Sequence, residues 1–480
     1  MTSANGPSDP SLWLTRKTGC WESELLSNEN SDNILLNTWI KSEYMDPAKV
    51  EQAYRAMIYN QPIFRADVRR DLNGTLYFVP ATDFSDVFQF FDQSDCTDGS
   101  GYAGCWGLAE ELADINFSIG SGAPLNKCYL VKRPDGYNLL NKLHHGIGDG
   151  TTSFRVVNEV LRQYDLLMSR REVDLSPAKV LPAIEELSLS VKNDEVLEKL
   201  VQSKLERAQV QQVLFPLNME EVALSKSQVP FKNRTLHATG TKEGLTRLRS
   251  FCKRLGVTVG AYTFAVLILA EAAVYVRRHG GQIPLEGIPT IYMDVLANLR
   301  TRLEETPGEC FMYGVGDLEL KETVNAETRL LDLAKSIAKQ LQISFDEQRI
   351  PLSLSCKQKL ETGEHSDFFN SIPAIREFTP SSKGVFNHPT KYSWGEVQTV
   401  HSMGSYWSPD IMNQVILYHS VNGSMCYSVV CCDGNDNVRD AQEVFELFVH
   451  VVEHSEVVCE DTKVMDFVLL KSPGDDRTLQ

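Results

Sequence analysis

The run Leu139-Leu140-Asn141-Lys142-Leu143-His144-His145-Gly146-Ile147-Gly148-Asp149-Gly150 constrains this chain more than any other part of it. Pro134-Asp135-Gly136 supplies a turn, and Tyr137 to Leu143 then reads as a short apolar strand. Side chains alternate across a strand, so His144 and His145 are expected on opposite faces. Gly146, Gly148 and Gly150 predict a tight turn with positive φ and close backbone approach. Thr151, Thr152 and Ser153 offer N-cap hydroxyls, and Val157, Val160, Leu161, Tyr164 and Met168 follow at helical spacing. The stretch is therefore strand, turn, helix. It sets an imidazole at the end of a rigid strand with an aspartate four residues on, a construction suited to a general base when the substrate supplies the nucleophile.

Rival readings of the same residues meet physical obstacles. Opposite-facing imidazoles cannot share an ion with Asp149 without distortion, so no metal site is read from His144, His145 and Asp149. A dinucleotide fingerprint needs G-x-G-x-x-G, and Thr151 stands where the third glycine belongs. An ordinary structural histidine pair, one buried and one exposed, is the plain alternative. No G-x-S-x-G elbow or phosphate-binding G-x-x-x-x-G-K-[ST] loop occurs elsewhere. His237, His279, His365, His388, His401, His419, His450 and His454 read as structural.

The full pattern H-H-x-x-x-D-G in this context resembles the signature of the chloramphenicol acetyltransferase-like superfamily, which includes condensation domains, wax-ester synthases, alcohol acetyltransferases and the plant BAHD acyltransferases. The resemblance implies an α/β (α+β) chain of two subdomains, each a mixed β-sheet with flanking helices, forming a pseudo-dimer around a central tunnel. It implies that His145 is the general base, that His144 supports it, that Asp149 holds the motif loop by pairing with an arginine, and that Gly150 keeps the turn open. The strand ending in Asn298-Leu299-Arg300 resembles the one that delivers that arginine, so Arg300 is the expected partner of Asp149. Tyr392-Ser393-Trp394-Gly395-Glu396 resembles the D-F-G-W-G loop of the BAHD branch, with Lys391 in place of the aspartate and Ser393 in place of the first glycine. Ser393 and Trp394 are accordingly candidates for lining the tunnel or donating to an oxyanion. The late hairpin over Val421 to Gly434 matches the family as well.

The activity implied is direct transfer of an acyl group from acyl-CoA to a small-molecule alcohol or amine, without an acyl-enzyme, a metal or a permanently bound cofactor. An enzyme of the condensation type drawing its acyl group from a carrier protein is the first alternative, and a non-catalytic binding protein that retains the tunnel is the second. Net charge of −17 argues against a nucleic-acid partner. The eleven cysteines form no C-x-x-C pair, and Met1 to Pro10 is polar with no apolar segment, which together suggest reduced thiols in the cytoplasm. Val257 to Val276 is apolar and nearly long enough to cross a bilayer, but Thr258, Gly260, Thr263 and Glu271 within it favour a buried helix; peripheral lipid contact stays open.

Length allows two domains, and a monomer needs no second copy to complete its site. The expected division is a disordered terminus over 1–20, an N-terminal subdomain over 21–190, a connection over 191–232 and a C-terminal subdomain over 233–480. Strands are expected at Asn33 to Ile40, Leu125 to Lys132, Asn233 to Ala238 and Thr290 to Leu296, with hairpins at Asn73-Gly74 and Asn422-Gly423. Helices are expected from Asp46-Pro47 to about Ala56, and over Lys242 to Leu255, Val259 to Arg278, Glu327 to Gln342 and Asp440 to His454. Asp95 to Gly107 reads as a glycine-rich loop and Asn193 to Arg207 as a solvated helix.

Overall fold

Nine consecutive buried residues, Gly136–His144, form the expected motif strand at the centre of a six-stranded sheet. The computed structural model describes residues 15–27, 32–93, 104–188, 192–209, 214–216, 233–302, 310–362, 375–376, 378–405, 414–432 and 435–470. The chain divides into two units: Met1–Leu187 with Leu303–Gly314 and Asn387–Tyr406, and Ser188–Arg302 with Val315–Phe386 and Trp407–Gln480.

In the first unit the sheet runs Lys391–Tyr392, Gly395–Ser405, Asn33–Lys41, Gly136–His144, Asn126–Arg133, Phe88–Asp92. Every pairing is antiparallel except the last. Both faces are covered, as the burial of the central strands demands. Leu35, Tyr129, Leu140 and Met403 share one face and pack against Trp106, Ala109 and Ala113 of the helix Gly104–Asp114. The opposite face carries Asn126, whose side chain accepts from the Tyr54 hydroxyl at 2.7 Å, and lies under the helices Pro47–Asn60 and Gly150–Met168. Asp46 caps the first of these, accepting from the Ala48 N–H at 3.0 Å, with Pro47 at the first helical position.

Several expectations are corrected here. Of the loop expected over Asp95 to Gly107, residues 95–103 lie outside the described residues, and the rest opens a helix that buries Trp106. Residues 1–14 of the expected disordered terminus also lie outside them, while Arg16–Lys17 pairs with Leu76–Pro80 and a helix begins at Cys20. The strand Gly395–Ser405 arises late in the chain, within the stretch expected to form the C-terminal subdomain, yet it pairs with Asn33–Lys41 of the first unit.

The second unit holds a four-stranded sheet in the order Phe378–Val385, Gln414–Val421, Ser424–Cys432, Asn233–Thr239. Asn422 (φ 52°) and Gly423 (φ 84°) make its tight turn, the left-handed pair that a two-residue hairpin requires. The helices Lys242–Leu255 and Val259–Arg278 start on threonine caps, with Thr241 accepting from the Gly244 N–H and Thr258 from the Ala261 N–H. Val259–Arg278 is long and apolar enough to cross a membrane, but 89% of its apolar window is buried in the fold, as expected of a core helix. The helix Asp194–Ala208 is not solvated all round. Lys204 reaches Asp294 at 3.1 Å, Asp317 at 3.2 Å and Glu319 at 3.6 Å, and Arg207 reaches Asp294 and Glu319 at 2.9 Å each. The acids stand on the hairpin Ile291–Asn298/Val315–Glu322, and Leu197, Leu200 and Leu205 pack near Cys356 and Leu360. Charge in the sequence marked a half-buried ion-pair face here, because each cation found an acid on the neighbouring strands.

Candidate functional site

The two motif histidines end the central strand and begin a short 3-10 turn, His145–Ile147. His144 is fully buried and His145 half-buried, as alternation predicts. Their backbone N–H groups donate to Leu125 and Asp32 carbonyls at 2.9 and 2.7 Å, which ties both to the sheet.

Local hydrogen bonds lock the two rings in opposite tautomers. His145 Nδ1 lies 3.0 Å from the Gly148 carbonyl oxygen. A carbonyl only accepts, so Nδ1 carries the proton and Nε2 carries the lone pair. His144 Nδ1 instead accepts from the Gly146 N–H at 3.0 Å. Its proton therefore sits on Nε2, which has no hydrogen-bond partner among the described residues. Burial, with smaller contributions from His145 and Lys142, pushes the His144 pKa down to about 3, so this ring stays neutral. Two residues earlier, buried Lys142 donates to the Leu112 carbonyl at 2.7 Å and to the Ile115 carbonyl, closing the helix Gly104–Asp114. Burial, reinforced by Lys127 and opposed by Asp114, lowers its pKa to about 7.

Asp149 is fully buried, and its carboxylate is engaged by backbone. One oxygen accepts from the Thr152 N–H at 2.9 Å, so Asp149 itself is the N-cap of Gly150–Met168 in place of the expected Thr151, Thr152 or Ser153. The other accepts from the Gly314 N–H at 2.9 Å. Gly150 is the first residue of that helix. None of Gly146, Gly148 and Gly150 has the positive φ expected of them. Space is the reason at two of these positions. A Cβ on Gly146 would meet Leu26 Cγ at 2.6 Å, and one on Gly148 would meet Thr152 Cγ2 at 2.6 Å.

Sequence reasoning missed the aromatic side of the site. Tyr313 is buried with its ring centroid 5.5 Å from that of His145, and Trp21 stacks on Tyr313 at 6.2 Å and 25°. The apolar-aromatic run Cys310-Phe311-Met312-Tyr313-Gly314 was the available signal, but nothing local to it pointed at the histidines.

Ser393 and Trp394 are not brought to His145, and their expected role as oxyanion donors is corrected. Asn33 pairs with His144 at one end of the sheet, while Ile40 pairs with Tyr137 and Lys41 with Glu396 at the other. Seven residues of strand separate the ends by about 23 Å. The Trp394 indole N–H donates to Asp165 at 3.0 Å, near the far end of the motif helix. Its ring stacks on Tyr392 at 4.8 Å and meets Tyr164 edge-on at 4.7 Å, while Ser393 is exposed on the turn. These residues border an open groove of about 1250 Å³ with Lys41, Tyr44, Arg133 and Met168. Arg300 is 1% exposed, and its Nη1 donates to Asn298 Oδ1 at 3.3 Å. It belongs to the second unit and Asp149 to the first. Among the described residues no three His, Cys, Asp or Glu side chains gather as a metal site.

Two mixed α/β units and a strand-turn-helix histidine motif define the class: the chain has the chloramphenicol acetyltransferase-like fold. No protein-family model matches the sequence, and no curated protein matches it. Solved structures do. The first condensation domain of the calcium-dependent antibiotic synthetase, in complex with a substrate analogue, aligns over 95% of this chain and 100% of its own at 14% identity and TM-score 0.68. Polyketide synthase associated protein 5 from Mycobacterium tuberculosis aligns over 91% and 98% at 14% identity and TM-score 0.65. The starter condensation domain of rhizomide synthetase RzmA, in a mutant complex with C8-CoA, aligns over 94% and 97% at 15% identity and TM-score 0.63.

Proposed function

We propose that this chain is an acyltransferase that moves an acyl group from an acyl-CoA thioester to an alcohol or amine, with His145 as general base. The observation that carries this is the tautomer lock: the Gly148 carbonyl holds the proton on Nδ1 and makes Nε2 the ring's basic nitrogen. The acceptor's oxygen or nitrogen attacks the thioester carbonyl as Nε2 takes its proton. Collapse of the tetrahedral adduct breaks the carbon–sulfur bond, and the imidazolium gives the same proton to the departing thiolate. His144 is held neutral beside it and adds no charge that opposes the imidazolium. Asp149 and Gly150 serve the geometry of the turn. The likeness to a starter condensation domain solved with C8-CoA supports free acyl-CoA as donor, and the condensation domains among the neighbours support a second reading with a carrier-bound donor.

The test is mass-spectrometric detection of free CoA from a panel of acyl-CoAs with pooled alcohols and amines, wild type beside His145→Ala. CoA release with a new ester or amide in wild type alone is the expected result. Turnover only with a loaded carrier protein selects the second reading, and equal release by the variant removes His145 from the chemistry.

A further inference from the structure

The segment on which Tyr313 sits is held on both sides by the motif itself. On one side the Thr152 hydroxyl donates to the Met312 carbonyl at 2.7 Å, and the Met312 N–H donates to the Thr152 hydroxyl oxygen at 3.3 Å. On the other, the Gly314 N–H donates to Asp149 at 2.9 Å. Asp149 also accepts from the Thr152 N–H, so the two anchors are parts of one cap. Between them, the Tyr313 ring is tilted 52° against His145 at 5.5 Å and backed by Trp21. We propose that Tyr313 is the positioning residue of His145, and that Asp149 and Thr152 act on the imidazole through the backbone on either side of Tyr313.

The physical need for such a residue is plain. The His145 ring is bonded to Gly148, and a neutral hydrogen bond favours one orientation only about two- to tenfold. A packed aromatic ring adds a factor of about two to ten. The ring also packs against the imidazole, its centroid 5.5 Å away. Asp149 thereby influences a base that its two named backbone partners do not include.

The proposal rests on the acyl-transfer reading only for its catalytic consequence, so the primary readout is independent of turnover. Diethyl pyrocarbonate modification of His145 at pH 7 is followed by peptide mass spectrometry on the full chain. Tyr313→Leu keeps an apolar side chain but removes the ring, and is expected to speed modification about tenfold; Tyr313→Phe is expected within about twofold of wild type. Thr152→Val removes the hydroxyl that grips Met312 and is expected to speed modification about threefold. In the Tyr313→Leu background the same change is expected to add nothing, since it acts through the ring. Wild-type rates in both Tyr313→Leu and Thr152→Val overturn the proposal, as does an unchanged Thr152 effect in the double variant. Should Tyr313→Leu lose its cooperative melt, Thr152→Val alone decides. If the protein turns over acyl-CoA, Tyr313→Leu lowers kcat about tenfold or more at little cost in KM, and Tyr313→Phe restores it. Faster modification with no turnover by any form separates failure of the functional reading from failure of this one.

Discussion

Glu271 lies in the middle of the buried helix Val259–Arg278, 2% exposed, and Oε1 has no hydrogen-bond partner among the described residues. Burial raises its pKa well above the ordinary carboxyl value. A group whose folded pKa lies above its unfolded one, near about 4.3, contributes stability that is fully present below the unfolded value. That contribution is lost as pH rises toward the folded value. Glu271→Gln replaces the acid by an uncharged isostere with no titration. Folding free energies of both proteins, from urea unfolding at half-unit steps between pH 5 and pH 8, are therefore expected to diverge. The wild type should lose ground to the variant by about 1.4 kcal/mol per pH unit, levelling off where the folded carboxyl ionises. Taking the difference between the two cancels every other titrating group they share. A difference that stays flat from pH 5 to pH 8 would mean that Glu271 ionises as easily folded as unfolded, and the buried, neutral acid would be refuted.

Other perturbations test the site piece by piece. Asp149→Ala removes a helix cap and the acceptor of the Gly314 N–H, and should cost about 2–4 kcal/mol in urea unfolding, with Asp149→Asn in between. His144, depressed to about 3, contributes stability above its unfolded pKa that is lost as pH falls from about 6.5 toward 3; the acid limb of the stability curve should be shallower in His144→Asn by up to about 1.4 kcal/mol per pH unit. Trp394→Phe should lower stability by about 1 kcal/mol through loss of the Asp165 hydrogen bond, and leave His145 modification by diethyl pyrocarbonate unchanged. A faster His145 in that variant would return Trp394 to the site.

Elements with local punctuation were legible in the sequence. Thr241 and Thr258 start helices whose observed bounds coincide with those expected, and Asn422-Gly423 can hardly be anything but a hairpin turn. The motif strand and helix were likewise found from periodicity. What escaped was settled by partners distant in sequence. The strand Gly395–Ser405 buries Thr399, His401 and Ser402, polar residues that hide its pattern until Asn33–Lys41 lies beside it. Lys204 and Arg207 look like a wet surface until Asp294 and Glu319 arrive from the neighbouring hairpin. In the site, His145 and Asp149 could be picked out because their spacing is local. Tyr313 lies far along the chain, and Trp394 misled because likeness to a loop says nothing about which end of a sheet it occupies.

The late arrival of Gly395–Ser405 has a consequence for how the protein is made. Its pairing partner Asn33–Lys41 leaves the ribosome some 350 residues before it does, and the next strand, Gly136–His144, some 250 residues before. At about 5–20 residues per second, the latter is an interval of roughly 13–50 s. During it, Asn33–Lys41, buried along nearly all its length in the finished sheet, presents a bare edge to solvent. The histidine motif is thus synthesised early but mounted on a half-built sheet, and any chain truncated before Gly395 carries the motif beside an open, adhesive edge.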